Sequence, residues 1–591
     1  MSRNPTLSYV LCSVPPLLNC NTKESMWDLL MKYLCPRDLR RGEMEEYMSN
    51  TSVSIESVEN LLPKELLELL QPFQVDQIKN MISSFLVMNF SVHEYVFEGP
   101  CRFGKGDALT KPFDEMINEE KFQDWYTQLK AHMHEDVVNL LPPIRIHGTE
   151  DWYIKDEEVR KIITDATPGV EVDLYFSVEL GRVFLLNYEV ARLTDKPWAM
   201  VQACCYTANS CAQHRARGIE YIPFETWEAA EDYMVVLRAK KALKNTRILC
   251  AIRNNSSVSV SSSDSIIDPD KTMDEVFGAR QRTISAHELL DQTSYGDPMG
   301  NHCTPGRKGL NFTEEDAKEI ERQTRELIDN AQEVRMSEEA VKKSVEMRYA
   351  IHKFMEANDC NCYAAPCGDI CSTRRMNEQQ VTMCLNHALN NEEGIPSACE
   401  YDLAALISMV MLQSIGRRPS YMGNTYAIPR QKDGKHIPFP KMPFFDKEET
   451  ARQLAKLENV DNLVLTFHSV PNRRWTSYDA PVRPYAIGPF THSGWGATIR
   501  YDFAADEGQV VTMCRVDPTC KKILIAKGTI VGGLGYGSVN CSEGVFFEVK
   551  DVHTFWKYQM DCGNHVPLIY GDFEDQLVQL AESLGLEVLR A

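Results

Sequence analysis

The chain lacks any run of about 18 consecutive apolar residues, so no segment is expected to cross a membrane as a helix. It also lacks an extended Lys/Arg run: 63 Lys and Arg stand against 84 Asp and Glu, giving a formal net charge of −21. Such a field repels phosphate and excludes non-specific binding to nucleic acid or to an anionic membrane surface. Neither an internal repeat nor a strong low-complexity tract is present. The N-terminal TLSYVLCSVPPLLNC has no charged lead into an unbroken apolar stretch, being interrupted by Pro15 and Pro16. It is expected to be a first strand rather than a signal peptide, and a cytoplasmic location follows as the expectation.

A regular disulfide framework is also missing. The 19 cysteines are odd in number and irregularly spaced, and several sit in apolar runs, such as Cys250 in RILCAIR and Cys514 in VVTMCRV. Buried free thiols in a reducing compartment account for this pattern. Cys360, Cys362, Cys367 and Cys371 are clustered, but as C-x-C-x4-C-x3-C rather than the paired C-x2-C of zinc sites, so they read as structural thiols. The glycine-rich VGGLGYGS (531–538) lacks the Lys-Ser/Thr ending of a phosphate loop and is expected to be a turn between strands.

What is present is a globular enzyme's composition, 43% hydrophobic and 25% charged, over 591 residues. Three units are expected: an N-terminal α/β domain (1–246), a middle α/β domain (247–444) and a C-terminal β-rich domain (445–591). In the first, LLPKELLELLQPF has helical periodicity, VDLYFSV and PWAMVQACC read as buried strands, and TWEAAEDYMVVLRAKKALK closes the segment as a helix. Strands alternating with helices predict parallel sheets, with helices layered on them as a sandwich.

The middle unit opens on the strand RILCAIR, followed by the Ser/Asn-rich loop NNSSVSVSSSDS. Thr313 and Ser337 begin helices, Thr313 with Asp316 three residues on. The charges along 313–358 read as a solvated helical face. From Asp402 to Ile415 the chain reads as a buried helix ended by Gly416 and followed by Pro419. The runs NLVLTFH, GQVVTMCRV, KKILIAKGTIV and GVFFEVK then predict an antiparallel sheet or barrel, before a terminal helix and a last strand.

Four places stand out chemically. Glu400 and Asp402 precede the apolar helix, where a carboxylate serves as a cap or as a site residue. His468, His492 and His565 lie at strand ends or in glycine-flanked turns, far apart in sequence, so no local ligand spacing joins them. The residues by themselves reach no further than an α/β enzyme with a β-rich C-terminal part.

The segment PSACEYDLAALISMVMLQSIGRRPSYMGN (396–424) resembles the signature of the L-fucose/L-arabinose isomerase superfamily: a Glu before an apolar helix, then a Gly/Arg-Pro turn and a short strand. NLVLTFHSVP, THSGWGATIRYDFAADEGQVVTMCRV and GNHVPLIYGDFEDQLVQLAESLGLEVLRA follow in the family's order, and EVFGARQRTISAHELLD resembles its middle domain. The likeness covers roughly 245–591. It implies an aldose–ketose isomerase in which a divalent cation, usually Mn(2+), binds the sugar's O1 and O2 while acid–base groups move a proton between C1 and C2 through an enediol.

By that resemblance Glu400 is a ligand and base, and His492 and His565 are ligands. Asn424 stands where the fucose branch has an aspartate ligand, and Pro471 where the arabinose branch has a second glutamate. An amide can coordinate but cannot take a proton, so His468 and then Asp402 become the candidates for the second acid–base group. Arg500 or Trp495 could position a polyol. The expected partners are a pentose or (deoxy)hexose and further copies of the chain in a trimer or hexamer, with no nucleic acid and no membrane. The rivals are a family member with altered chemistry, such as an epimerase, a non-catalytic sugar-binding protein on the same fold, and a cysteine-ligated metalloprotein.

Overall fold

A computed structural model describes residues 90–98, 111–147 except 136, portions of 157–201, and 205–252, 265–293, 312–366, 374–437 and 445–591. The chain divides into two compact units at Arg238/Ala239, so the segments expected as separate middle and C-terminal domains belong to one unit. The LLPKELLELLQPF helix, the 254–264 loop, Cys367 and Cys371 lie outside the described residues.

In the first unit, Phe90–Glu98, Val138–Leu140, Ile144–His147, Leu174–Leu180, Trp198–Val201 and Tyr221–Phe224 form one sheet whose pairings are all parallel. Parallel strands covered by helices bury both faces, which is why VDLYFSV and PWAMV are continuous apolar runs rather than alternating ones. Trp125, Phe176 and Phe224 pack in one core, with Trp227 stacked on Phe176 at 5.9 Å.

The second unit begins with a parallel sheet of β1 (Arg247–Ile252), β2 (Arg280–Ser285), β3 (Cys362–Ala365) and β4 (Ser397–Cys399), in the order β4-β3-β1-β2. The expected helix starts are present: Thr313 and Asp316 form a reciprocal capping box, and Ser337 accepts from Ala340 N. Beyond β4 comes the Leu403–Gly416 helix, in which every residue is buried. A helix apolar on all sides must be covered on all sides. Here Val516 N donates to Ser408 Oγ at 3.0 Å, fixing the helix against the sheet that follows. The helix stops one residue later than expected, at Arg417, whose left-handed φ of 49° ends the hydrogen-bond ladder.

That next sheet is antiparallel apart from its last strand. It contains β5 (Asn424–Ile428), β6 (Leu463–Phe467), β7 (Val510–Val516), β8 (Lys522–Leu534), β9 (Gly544–Val549) and β10 (Leu568–Tyr570), ordered β5-β6-β9-β8-β7-β10, with β11 (Glu587–Arg590) pairing parallel to β8. VGGL of the glycine-rich segment is the end of β8 rather than turn, with a register shift between Ile530 and Gly532; the turn begins at Gly535. The two edges of the sheet meet through isolated bridges, Tyr421 to Leu568 and Asn424 to His565. This meeting of edges positions the site. Among the described residues, no helix is long and apolar enough to cross a membrane.

Candidate metal centre

Glu400 sits in the three-residue link, Glu400 to Asp402, between β4 and the buried helix. Glu400 and Tyr401 both have left-handed backbones, with φ of 59° and 55°. Non-glycine residues pay about 1 kcal/mol or more for such a conformation, and two in a row persist only where the surroundings impose it. Tyr401 N donates to Ala365 O at the end of β3 at 2.9 Å, and Asp402 then caps the helix by accepting from Ala405 N at 2.9 Å. The link is thereby pinned at both ends, and the Glu400 side chain is left partly exposed, at 20%.

His468 follows β6 directly. Its backbone N–H is held by Glu543 O at 2.8 Å and Tyr421 Oη at 2.7 Å. His565 precedes β10 at the bridge to Asn424, and Asn424 in turn pairs with Phe467, the residue before His468. Strand register therefore brings the two histidines together, with ring centroids 5.8 Å apart.

The three side chains converge. His468 Nε2 lies 3.4 Å from Glu400 Oε1, and His565 Nε2 lies 3.5 Å from Glu400 Oε2. Ligand atoms of Glu400, His468 and His565 all lie within 4.8 Å of one another. Donors about 2.1 Å from a common ion are separated by about 3.0 Å at right angles and about 3.4 Å at tetrahedral angles, so the spacing suits a small divalent cation. Both imidazoles are fully buried.

The surroundings of His565 also fit such an ion. Its Nδ1 lies 2.8 Å from Asp402 Oδ2. An ionised carboxylate only accepts, so in the neutral ring the proton is assigned to Nδ1 and the lone pair to Nε2. That Nε2 is buried and has no hydrogen-bond partner among the described residues. A carboxylate behind a histidine, with the opposite nitrogen open, is the arrangement that orients metal ligands. Burial alone would raise the Asp402 carboxyl, but the adjoining Arg515 guanidinium and His565 hold it well below the usual carboxylate range.

Arg515 was not singled out from the sequence. Its Nη1 donates to Asp402 Oδ2 at 2.7 Å and to His565 O at 2.6 Å, while Nε donates to Cys562 O at 2.6 Å. A Cβ on Gly563 would come within 2.8 Å of the guanidinium, and Gly563 has a φ of 112°, so a side chain here is excluded twice over. A lone cation in the apolar run VVTMCRV was the available signal for Arg515.

The remaining expected site residues fall elsewhere or are committed. His492 is exposed in the turn between the paired strands Ala486–Pro489 and Ala497–Arg500 and is not part of the three-residue group; His468 takes that place. Trp495 is half-buried in the same turn. Asn424 Oδ1 accepts from Asn564 Nδ2 at 2.5 Å. Arg500 is fully buried, donates to Asn540 O and Pro489 O at 3.3 Å, and pairs with Glu543 at 3.5 Å. Burial pushes the Glu543 carboxyl up to about 8, against the pull of Arg500. Asp402, the second acid–base candidate, is engaged by Ala405, Arg515 and His565. Pro471 is buried in the loop after His468.

Comparison with protein-family models and with curated proteins finds no match to this chain.

Proposed function

We propose that the chain is a metal-dependent aldose–ketose isomerase acting on a pentose or (deoxy)hexose, with the cation held by Glu400, His468 and His565. The observation that carries this reading is the convergence of one carboxylate and two buried imidazoles from three distant parts of the sequence, with Asp402 placed behind one of them. Two imidazoles and a carboxylate suit Mn(2+), Fe(2+) or Zn(2+), and the resemblance of roughly 245–591 to the isomerases favours Mn(2+). A bound divalent ion supplies positive charge beside two neighbouring sugar oxygens as negative charge develops on them.

The protein groups divide the remaining work. Glu400 is the partly exposed member of the three and is the group able to take a proton from one sugar carbon and return it to the next. Asp402 and Arg515 fix His565. Because Asp402 is fully engaged and the buried His468 ring gives its Nε2 to the cation, the proton transfers fall to Glu400. A homo-oligomer in the cytoplasm belongs to the same reading.

The test is conversion of a panel of pentoses, hexoses and 6-deoxyhexoses by full-length protein stripped of metal and reloaded with Mn(2+). A ketose that appears only with metal is the expected result. An epimer in its place would move the reading to altered chemistry, which Asn424 and Pro471 favour. Sugar binding without turnover would reduce the protein to a binding module.

A further inference from the structure

A cation gripped by two imidazoles needs them at one fixed separation. His468 follows β6 and His565 precedes β10, and these two strands do not pair with each other. What lies between them is the short segment from Tyr421 to Asn424. On one side it bridges to the start of β10, Tyr421 to Leu568 and Asn424 to His565. On the other side Asn424 pairs with Phe467, and Gly423 presses so close that a Cβ would lie 2.7 Å from Phe467 O and 2.8 Å from its carbonyl carbon. Only glycine permits that approach.

Tyr421 joins the two sides through a single residue. Its backbone exchanges both hydrogen bonds with Leu568, donating to Leu568 O at 2.9 Å and accepting from Leu568 N at 2.8 Å. Its hydroxyl reaches His468: Oη accepts from His468 N at 2.7 Å, with Glu543 O at 3.0 Å and His468 O at 3.2 Å as acceptors for its own proton. The side chain is fully buried, and Phe503 and Trp475 pack on the ring with centroids 5.2 and 6.0 Å away. Satisfying the His468 N–H does not require this hydroxyl, because Glu543 O already accepts from it at 2.8 Å. The second bond fixes where His468 sits.

We propose that Tyr421 is a positioning residue of the metal centre: with its hydroxyl on His468 and its backbone on Leu568, it sets the separation of the His468 and His565 rings and so the spacing of the two nitrogens offered to the cation. This assignment rests on the metal centre described above.

The experiment is titration of the metal-free, full-length chain with Co(2+), following its visible d–d absorption and its Kd, with circular dichroism as the control for folding. Tyr421→Phe removes the hydroxyl and keeps the ring packing; it should weaken Co(2+) binding by roughly 10-fold and change the absorption envelope. Tyr349→Phe is the matched control. Tyr349 is also buried, and its hydroxyl donates to Asp316 Oδ1 at 2.8 Å on helices outside the centre, so its loss should leave both readouts unchanged. Gly423→Ala keeps the hydroxyl but forces the segment away from Phe467, and it should also change the envelope. An envelope and Kd equal to wild type in Tyr421→Phe or, where that variant does not fold, in Gly423→Ala, overturns the role of Tyr421. The same change in Tyr349→Phe as in Tyr421→Phe overturns it too, by showing a general loosening of the fold. A wild-type chain that takes up no Co(2+) overturns the metal centre itself.

Discussion

His565 Nδ1 and Asp402 Oδ2, 2.8 Å apart, join the edge of the antiparallel sheet to the cap of the buried helix. The same carboxylate oxygen accepts from Arg515 Nη1 at 2.7 Å, so three buried groups depend on one charge. Asp402→Asn keeps a competent cap but leaves Arg515 without a counter-ion. Breaking a buried pair in this way costs about 3–5 kcal/mol. It also frees the His565 tautomer, which should lower metal affinity roughly 10- to 100-fold. Urea unfolding and Mn(2+) titration calorimetry on the variant measure the two effects separately.

Glu400 couples function to backbone strain. Its φ of 59° is comfortable for glycine and costly for glutamate. Glu400→Gly should therefore abolish metal binding while leaving the melting temperature of the metal-free protein equal to, or slightly above, that of wild type. A marked fall in melting temperature would show that the carboxylate serves the fold rather than the cation.

Acid stability should report His387. Its ring, pushed down to about 3, stays neutral in the fold, whereas in the unfolded chain it takes a proton below about 6.5. Between these values the unfolded state binds more protons, so stability falls as pH is lowered through the window and is indifferent to this group above it. The slope from one such group is at most about 1.4 kcal/mol per pH unit. Asp402, held below its ordinary range, acts in the same sense only below about 3.9. Urea unfolding of the metal-free protein from pH 7.5 to 5 should give a shallower decline for His387→Gln than for wild type; identical slopes would contradict this.

His492 separates the two ligand sets. Exposed in its turn, it should be replaceable by alanine with Mn(2+) affinity unchanged within about twofold, whereas His468→Ala should lose roughly 100-fold or more. A loss on His492→Ala comparable with that of His468→Ala would restore the arrangement that the resemblance alone implied.

Much of the fold was legible because its strands are continuous apolar runs: VDLYFSV, RILCAI, NLVLTFH and GVFFEVK each contribute a strand to a sheet. The helix starts at Thr313, Ser337 and Asp402 were legible because capping is local chemistry. The choice between His468 and His492 was not. Both lie beside glycines, prolines or turns, and what selects His468 is register: Asn424 faces Phe467 on one side and His565 on the other. Pairings across more than forty residues leave no periodic trace. The helix stop was missed by one residue because Arg417, not glycine, takes the left-handed position.

Crystals of the full chain soaked in Mn(2+) and measured at the manganese absorption edge give the most direct test. A single anomalous peak within bonding distance of Glu400, His468 Nε2 and His565 Nε2 is the result expected from the donor spacing. No peak there, or one at His492 instead, would contradict it.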